Sequence, residues 1–162
     1  MQEHLSVAAA PGPDIAAPAL RTLAIHVPGD IRGKGRPRFS RRGGKPRTYT
    51  EPKTETAENW VKACAIKQVG QPVLLGALAL QVRIVVSVPL SWPKKRQAAA
   101  LAGLERPTGK PDADNTLKLL ADALNGIVWK DDAQIVDARV TKAYREKPGA
   151  WLSVFQVLPV SA

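Results

Sequence analysis

The sequence predicts a single α+β domain in which helices pack on a small mixed β-sheet. The chain has 162 residues, enough for one domain with a real core and too few for two of ordinary size. Stretches that alternate apolar and polar residues, as strands do, occur near the start, in the middle and towards the end. Helical stretches separate them without a strict strand and helix repeat, so a doubly wound fold is not expected.

The first 21 residues are rich in Ala and Pro and are predicted to form a disordered tail, which leaves residues 22–162 for the domain. The tail lacks the basic segment and apolar core of a signal peptide. No run of about 18 apolar residues occurs, so no membrane span is expected. The single cysteine, Cys64, cannot form a disulfide or a zinc cluster within one chain, which favours a reducing cytoplasm.

The first strand is predicted at Leu23–Val27, where apolar residues alternate with Ala and His. A helix is then predicted with Thr50 as its N-cap and Pro52 in its first turn, ending near Gln68. Its apolar side is expected to consist of Trp60, Val61, Cys64 and Ile66.

The most apolar stretch, Val73–Val88, predicts a central strand between two prolines. A short Ala-rich helix should follow from Ser91 to about Ala102. Its first turns carry Lys94, Lys95 and Arg96, which oppose the helix dipole and suggest a phosphate contact. Two final strands, Gln134–Tyr144 and Trp151–Leu158, are predicted to form a hairpin that turns at Pro148-Gly149.

Between these strands, residues 110–132 read KPDADNTLKLLADALNGIVWKDD and place five aspartates around one short helix. The helix is predicted at Asp114–Asn125, with Gly126 as its C-cap. At 100° per residue, one arc is predicted to face the core and contains Leu117, Leu120, Ala121 and Leu124. The adjoining arc is a polar row of Asp114, Lys118, Asp122 and Asn125.

Carboxylates crowded in this way repel one another unless cations hold them, and hard divalent ions such as Mg²⁺ take oxygen ligands of this kind. A magnesium site is therefore one interpretation. In the structural alternative, Asp112 or Asp114 caps the helix and Lys118 pairs with Asp114 or Asp122, while Asp131-Asp132 form a solvated turn. Periodicity alone leaves both open.

The charge of the chain favours a polyanionic partner, because the net charge is +10. Half of the sixteen residues from Arg32 to Arg47 are basic and none is acidic. Gly43-Gly44 suggests a hairpin tip, so this segment is predicted to be a DNA-binding arm that follows phosphates; the alternative is a solvated loop. Its cations are Arg32, Lys34, Arg36, Arg38, Arg41, Arg42, Lys45 and Arg47.

The acidic segment KPDADNTLKLLADALNG, followed by WKDDAQI, resembles the signature of the RusA-type Holliday-junction resolvases, which are metal-dependent endonucleases common in prophages and bacteria. The combination is specific, whereas a lone D-x-D would carry little weight. The resemblance extends upstream to GKGRPRFSRRGGKPRTYTEPKT, similar to the family's basic hairpin, and to SWPKKRQAAALAG. It spans roughly Leu23 to Val157.

The resemblance implies a RusA-like fold and an endodeoxyribonuclease that uses Mg²⁺, with Mn²⁺ able to substitute. It implies a four-way DNA junction as substrate, a homodimer that makes two symmetric nicks, and a bacterial or phage-encoded protein of the cytoplasm. The implied catalytic residues are Asp112, Asp114, Lys118 and Asp132, and the three aspartates among them are the implied metal ligands. Asp131 is an alternative ligand. Asp122 is expected to orient Lys118, Asn115 to hold a ligand loop, and Asn125 to cap the helix.

Two other functions remain open from the sequence. The same metal site in another nuclease would cut flaps, replication forks or duplex DNA, which a panel of branched substrates would reveal. In a nonenzymatic nucleic-acid-binding protein the carboxylates would be structural, and binding would persist without metal-dependent cleavage.

Overall fold

The computed structural model of the protein describes residues 22–35, 38–40, 47–49 and 51–157, and for residues 38–40 and 47–49 it describes the backbone alone. The predicted tail at residues 1–21 lies outside this range, as does the predicted N-cap Thr50. Four cations of the predicted DNA-binding arm also lie outside the described residues: Arg36, Arg41, Arg42 and Lys45.

Six strands and three α-helices are found in the described parts of the chain. In chain order they are β1 (Thr22–Pro28), β2 (Arg38–Ser40), β3 (Arg47–Tyr49), α1 (Pro52–Val69), β4 (Leu78–Ser87), α2 (Lys94–Leu101), α3 (Ala113–Leu124), β5 (Ile135–Arg145) and β6 (Gly149–Gln156). Strands β1, β6, β4 and β5 lie side by side in that order in one mixed sheet, and β2 pairs with β3 in a separate ribbon. The predicted α+β class is therefore confirmed.

The predicted hairpin of the last two strands is wrong. Strand β6 lies between β1 and β4 and is antiparallel to both, whereas β5 pairs in parallel with the other edge of β4. Alternation identifies a strand but does not specify its neighbours. Leu80, Val82 and Ile84 of β4 are almost completely buried. A position with a neighbouring strand on each side removes this apolar surface from water, which stabilises the fold.

Strand β4 is also shorter than the predicted Val73–Val88. Gly76 has a φ of +84°, a left-handed conformation that interrupts the extended chain before the strand begins. The residues before it pair elsewhere: Leu74 forms an isolated parallel bridge with Trp129. Trp129 is fully buried and donates from Nε1 to Oδ1 of Asn125 at 2.8 Å.

Helix α1 begins at Pro52 with Glu51 in the N-cap position, so the prediction of Thr50 as N-cap is wrong. Its buried face contains Val61, Cys64 and Ala65. Trp60 and Ile66, which were expected on that face, are 50% and 42% exposed. At 100° per residue, Ile66 lies about 140° from Val61, whereas Cys64 and Ala65 lie within about 60° of it.

Helix α3 begins one residue earlier than predicted, because Asp112 occupies the N-cap position, and it ends at Leu124. Asn125 occupies the C-cap position, as expected, and Gly126 follows with a φ of +73°. The buried face is wider than the predicted arc, whereas Leu117 is only partly buried. The buried residues are Thr116, Leu119, Leu120, Ala121, Ala123 and Leu124.

Helices α1 and α3 pack against each other, and α1 also contacts β1 while α3 contacts β5. One face of the sheet is thereby covered, which explains why alternate residues of β1, β4 and β6 are buried. Helix α2 lies against β5 and buries Ala100. None of the described helices is long and apolar enough to cross a membrane.

Candidate functional site

Asp114, Lys118 and Asp132 line one cavity of about 350 Å³ where α3 meets the start of β5. Asp114 and Lys118 lie one turn apart on α3, and Asp132 begins a 3-10 turn, Asp132–Gln134, that leads directly into β5. The rest of the lining is apolar and consists of Leu117, Ala121, Ile135 and Ala138. Two carboxylates and one ammonium group therefore share a small cavity with an apolar lining.

The charged groups of this cavity are available to a ligand. Within the described residues, the side chains of Asp114, Lys118 and Asp132 make no hydrogen bond or ion pair. The structural alternative in which Lys118 pairs with Asp114 or Asp122 is therefore not observed. Unpaired opposite charges in a common cavity are suited to a ligand that carries both a cation and an anion.

Asp112 lines a different cavity. Its Oδ2 accepts a hydrogen bond from Nδ2 of Asn115 at 3.3 Å, and its backbone oxygen accepts from the backbone N of Thr116 at 3.0 Å. The cavity beside it, about 590 Å³ in volume, is also lined by Arg32, Lys34, Lys110 and Asn115. Asn115 thus donates a hydrogen bond to Asp112, and Asp114 is not part of the lining of this cavity.

The paired aspartates Asp131 and Asp132 have different environments. Oδ1 of Asp131 accepts from the backbone N of Ala133 at 2.8 Å, and together with Gln134 it forms a capping box. The carboxylate of Asp131 therefore stabilises the turn, whereas that of Asp132 faces the cavity. This arrangement favours Asp132 over Asp131 as a ligand.

Gln134 fixes the turn that carries Asp132. Its Oε1 accepts from the backbone N of Lys130 and of Asp131, at 2.9 and 3.0 Å. Its Nε2 donates to the backbone O of Leu74 and of Gly76, at 3.0 and 2.9 Å. Gln134 belongs to the WKDDAQI motif, but the sequence alone did not predict a role for it. The signal was present, because an acid followed three residues later by Gln is a capping-box pattern.

Lys34 forms an ion-pair network at the base of the basic segment. Its Nζ donates to Oδ2 of Asp122 on α3 and lies 3.4 Å from Oε1 of Glu58 on α1. Burial works against the charged ammonium, but the hydrogen bond to Asp122 and the two carboxylate charges outweigh it and raise the pKa of Lys34 above its ordinary value. Asp122 therefore pairs with Lys34 and not with Lys118, contrary to expectation.

The segment around Lys34 packs closely on the helices. A Cβ added to Gly33 would lie 2.9 Å from Cβ of Asn115, and the backbone N of Lys34 donates to the backbone O of Asn115 at 3.0 Å. Glycine at position 33 permits this approach. The basic segment thus begins from a point fixed against the first turn of α3, next to Asp112.

The structure describes some of the other predicted DNA-binding residues with their side chains and some by their backbone alone. Arg32 is exposed and lines the Asp112 cavity. Arg38 and Arg47 occupy opposite strands of the β2–β3 ribbon, at positions where the backbone alone is described. In α2, Arg96 pairs with Glu105 at 3.1 Å and lies 3.5 Å from the centre of the Trp92 ring, whereas Lys94 and Lys95 are exposed.

The carboxylates of the two cavities fit a divalent metal ion only in part. Among the described residues, no group of three or more His, Cys, Asp or Glu side chains lies close enough to hold an ion. The three predicted ligands are therefore not brought together. Asp114 and Asp132 in one cavity still fit a Mg²⁺ site of the usual kind, in which one or two carboxylates are completed by water and phosphate.

The sequence was compared with those of known proteins. The sequence model of the family described as "Endodeoxyribonuclease RusA" matches residues 28–154, a range that includes both cavities. The chain is also 35% identical over 137 residues to "Uncharacterized protein YqaN" of Bacillus subtilis (strain 168). That alignment covers 83% of this chain and 96% of the relative.

Proposed function

Because the chain belongs to the RusA endodeoxyribonuclease family, we propose that it resolves Holliday junctions by paired, symmetric hydrolysis of phosphodiester bonds during DNA recombination and repair. Membership implies an endodeoxyribonuclease that depends on a divalent metal and acts on branched DNA. The proposal specifies the four-way junction as substrate and Mg²⁺ as the ion, with Mn²⁺ able to substitute.

The observation that carries this proposal is the cavity shared by Asp114, Lys118 and Asp132. Hydrolysis of a phosphodiester requires positive charge opposite the phosphate oxygens, a correctly placed water and stabilisation of the charge that develops on the leaving oxygen. Two carboxylates able to hold a cation, next to an ammonium that has no partner in the described residues, match these requirements.

Asp114 and Asp132 would hold the divalent ion. Such an ion would supply positive charge to the phosphate and favour ionisation of the attacking water. Asp112 is the third proposed ligand. Its carboxylate lines the neighbouring cavity, so ligation together with Asp114 and Asp132 would require this side chain to turn towards them.

Lys118 is proposed to act on the transition state. In the reaction a water oxygen forms a bond to phosphorus, the bond from phosphorus to the leaving deoxyribose oxygen breaks, and a proton ends on that oxygen. Negative charge therefore grows on the phosphoryl oxygens and on the leaving oxygen. An ammonium placed beside them stabilises this charge more than it stabilises the ground state.

Two further proposals concern binding. The basic segment Arg32–Arg47 is proposed to contact the DNA backbone. Supporting this, Arg32 and Lys34 at its start line the cavity of Asp112. A homodimer is proposed because two symmetric nicks require two sites related by a two-fold axis, and each chain supplies one Asp114 cavity. Light scattering on the purified protein would test the dimer.

The decisive experiment is cleavage of a synthetic mobile four-way junction with Mg²⁺, with Mn²⁺ and with EDTA. We expect paired nicks at symmetric positions with either ion and none with EDTA. Flap, fork and duplex substrates serve as controls. Faster cleavage of a flap or fork than of the junction would replace the proposal with another branched-DNA nuclease. Junction binding without cleavage in either metal would favour a nonenzymatic binder.

A further inference from the structure

The sheet face opposite α1 and α3 is polar and largely open. The strand register places Ser153, Gln81 and Arg139 side by side on this face, followed by a second row of Trp151, Arg83 and Thr141. Gln81, Arg83 and Arg139 are exposed. Only the end of the face near Val85 is covered: Val85 is buried and shares a cavity with Leu101 of α2.

This face forms one continuous groove. Two cavities of about 540 and 480 Å³ lie on it, and both are lined by Arg83 and Trp151. The first extends towards Arg145 and Lys147 at the end of β5, and the second towards Arg139 and Ser153. The groove therefore has the sheet as its floor and continues along β4 and β5 past the indole of Trp151.

The groove is basic, and its cations lack acidic partners. Four basic side chains line it, Arg83, Arg139, Arg145 and Lys147, against one acidic side chain, Glu146. In the part of the chain that the structure describes, none of these four cations forms an ion pair. Unpaired cations in a concave surface attract a polyanion.

Trp151 adds a flat aromatic surface between these cations. Its ring stacks on His26, with centroids 4.3 Å apart and planes inclined by 21°. In the strand register, Trp151 of β6 lies opposite Arg83 of β4. The residue is still 40% exposed. A large aromatic ring held in place by a stacked neighbour, with part of its surface facing solvent, is suited to stacking against a nucleic-acid base.

We propose that this groove binds an unpaired DNA strand, with Arg83 and Arg139 on its phosphates and Trp151 against a base. The combination of a basic groove with an exposed aromatic ring is the usual composition of single-strand-binding surfaces. A second copy of the chain is a poorer occupant. Two-fold symmetry would place the same unneutralised cations of both copies in one interface.

The groove is distinct from the candidate active site, because the two lie on opposite faces of β5. Ala138 lines the Asp114 cavity and its neighbour Arg139 lines the groove, as the alternation of side chains along a strand requires. The inference deepens the proposed function, on which it rests in part. It gives the protein a second DNA contact, for a strand that leaves the branch point unpaired.

The test is binding of a fluorescent oligothymidylate of about 20 nucleotides, followed by anisotropy in EDTA over a series of salt concentrations. Arg83→Ala/Arg139→Ala should flatten the slope of log affinity against log salt by about 1.4, because each phosphate contact to a single strand contributes about 0.7. Trp151→Ala should weaken binding about tenfold through lost stacking. Lys62→Ala/Lys67→Ala on α1, with the same loss of charge, should change neither the slope nor the affinity.

Two results would overturn the inference. The first is an affinity and slope in the arginine variant equal to wild type or to the Lys62/Lys67 control. The second is loss of dimer mass in light scattering by the arginine variant with unchanged oligonucleotide binding, which would make the face an interface between copies. If Trp151→Ala does not fold, Trp151→Phe and the arginine variant carry the test. Because binding is measured without metal, failure of the junction-cleavage experiment leaves this result unaffected.

Discussion

Asp112 and Asp114 are only two residues apart, yet their carboxylates line different cavities. The difference arises because Asp112 precedes the helix and is bonded to Asn115, whereas Asp114 lies in the first turn of α3 next to Lys118. At the scale of single residues, the chemistry of this site therefore depends on which carboxylates already accept hydrogen bonds from the protein. Asp114 and Asp132 are free in the described structure, and Asp131 is occupied by its turn.

Asp114→Asn should abolish cleavage, with a loss of more than about a hundredfold in rate, because it removes one of the two carboxylates in the shared cavity. Junction affinity should stay equal or rise, since a negative charge facing DNA is removed. Single-turnover cleavage in Mg²⁺ and gel shifts in Ca²⁺ measure the two effects. Glu55→Gln, at an exposed position of α1, is the matched control. A cleavage rate close to wild type would show that Asp114 is not a ligand.

Lys118→Ala should lower the rate of cleavage by about a hundredfold to a thousandfold and change the dissociation constant little, because its ammonium is proposed to stabilise transition-state charge. The same pair of measurements applies, with Lys67→Ala on α1 as control. Parallel losses of affinity and rate would instead identify Lys118 as an ordinary phosphate contact.

At the scale of elements, two connections hold the site together: the turn before β5 and the segment before β2. Both depend on partners that are distant in sequence. Gln134 bonds to residues 58 and 60 positions away, and Lys34 to a carboxylate 88 positions away. Local periodicity predicted α3, its polar row and the strands, but it carries no information on such partners. For this reason the assignment of Asp122 to Lys118 failed, as did the pairing of β5 with β6.

Gln134→Ala should lower the free energy of unfolding by about 2 kcal/mol, because two backbone N–H groups and two backbone oxygens lose their partner. Cleavage should fall as well, since Asp132 is no longer held at the cavity. Denaturant titration and single-turnover cleavage measure the two effects, and Gln71→Ala, at an exposed position, is the control. An unchanged free energy of unfolding would mean that water satisfies the backbone groups as well as the Gln134 amide does.

Lys34→Met and Asp122→Asn should each destabilise the fold by about 1 to 2 kcal/mol, and the double variant should lose less than the sum. The network also makes a pH prediction. The pKa of Lys34 is raised above its ordinary value of 10.5, so the folded state holds this proton more tightly. The contribution of charged Lys34 to the free energy of unfolding is complete below pH 10.5, and it is lost as the pH rises through the folded-state pKa.

The measurement is the free energy of unfolding of wild type and Lys34→Met from pH 7 to 11.5. The difference between them should be constant up to about pH 10 and then shrink. A difference that grows with pH, or additive effects in the double-mutant cycle, would contradict the proposed pairing.

At the scale of the whole molecule, the sheet separates two surfaces that carry different candidate sites. One side carries the acidic cavity and the start of the basic segment, and the other carries the basic groove. The net charge of +10 predicted a polyanionic partner without indicating where it binds. The groove was not predicted, because Arg83, Arg139 and Trp151 are far apart in sequence and meet only through the strand register.

The contribution of the basic segment can be separated from that of the groove. Replacing Arg36, Arg38, Arg41 and Arg42 with Ala should weaken binding to duplex arms and flatten the salt slope by up to about 3.6 units, at about 0.9 per phosphate. The measurement is a salt titration of junction binding with Ca²⁺ in place of Mg²⁺. An unchanged slope would make this segment a solvated loop and shift the junction footprint to Lys94, Lys95 and the groove.

The strand order also has a consequence for synthesis on the ribosome. Strand β6 is the last of the described strands to be made, yet it lies between β1 and β4 and joins them. Until it emerges, β1 has no partner in the sheet, and the nascent chain can pair only β4 with β5. Such late, long-range closure slows folding and leaves apolar strands exposed during elongation. The residues that line the acidic cavity, from Asp114 to Ala138, are thus made before β6 completes the sheet behind them. The cavity can take its final form only after Gln156 has been made.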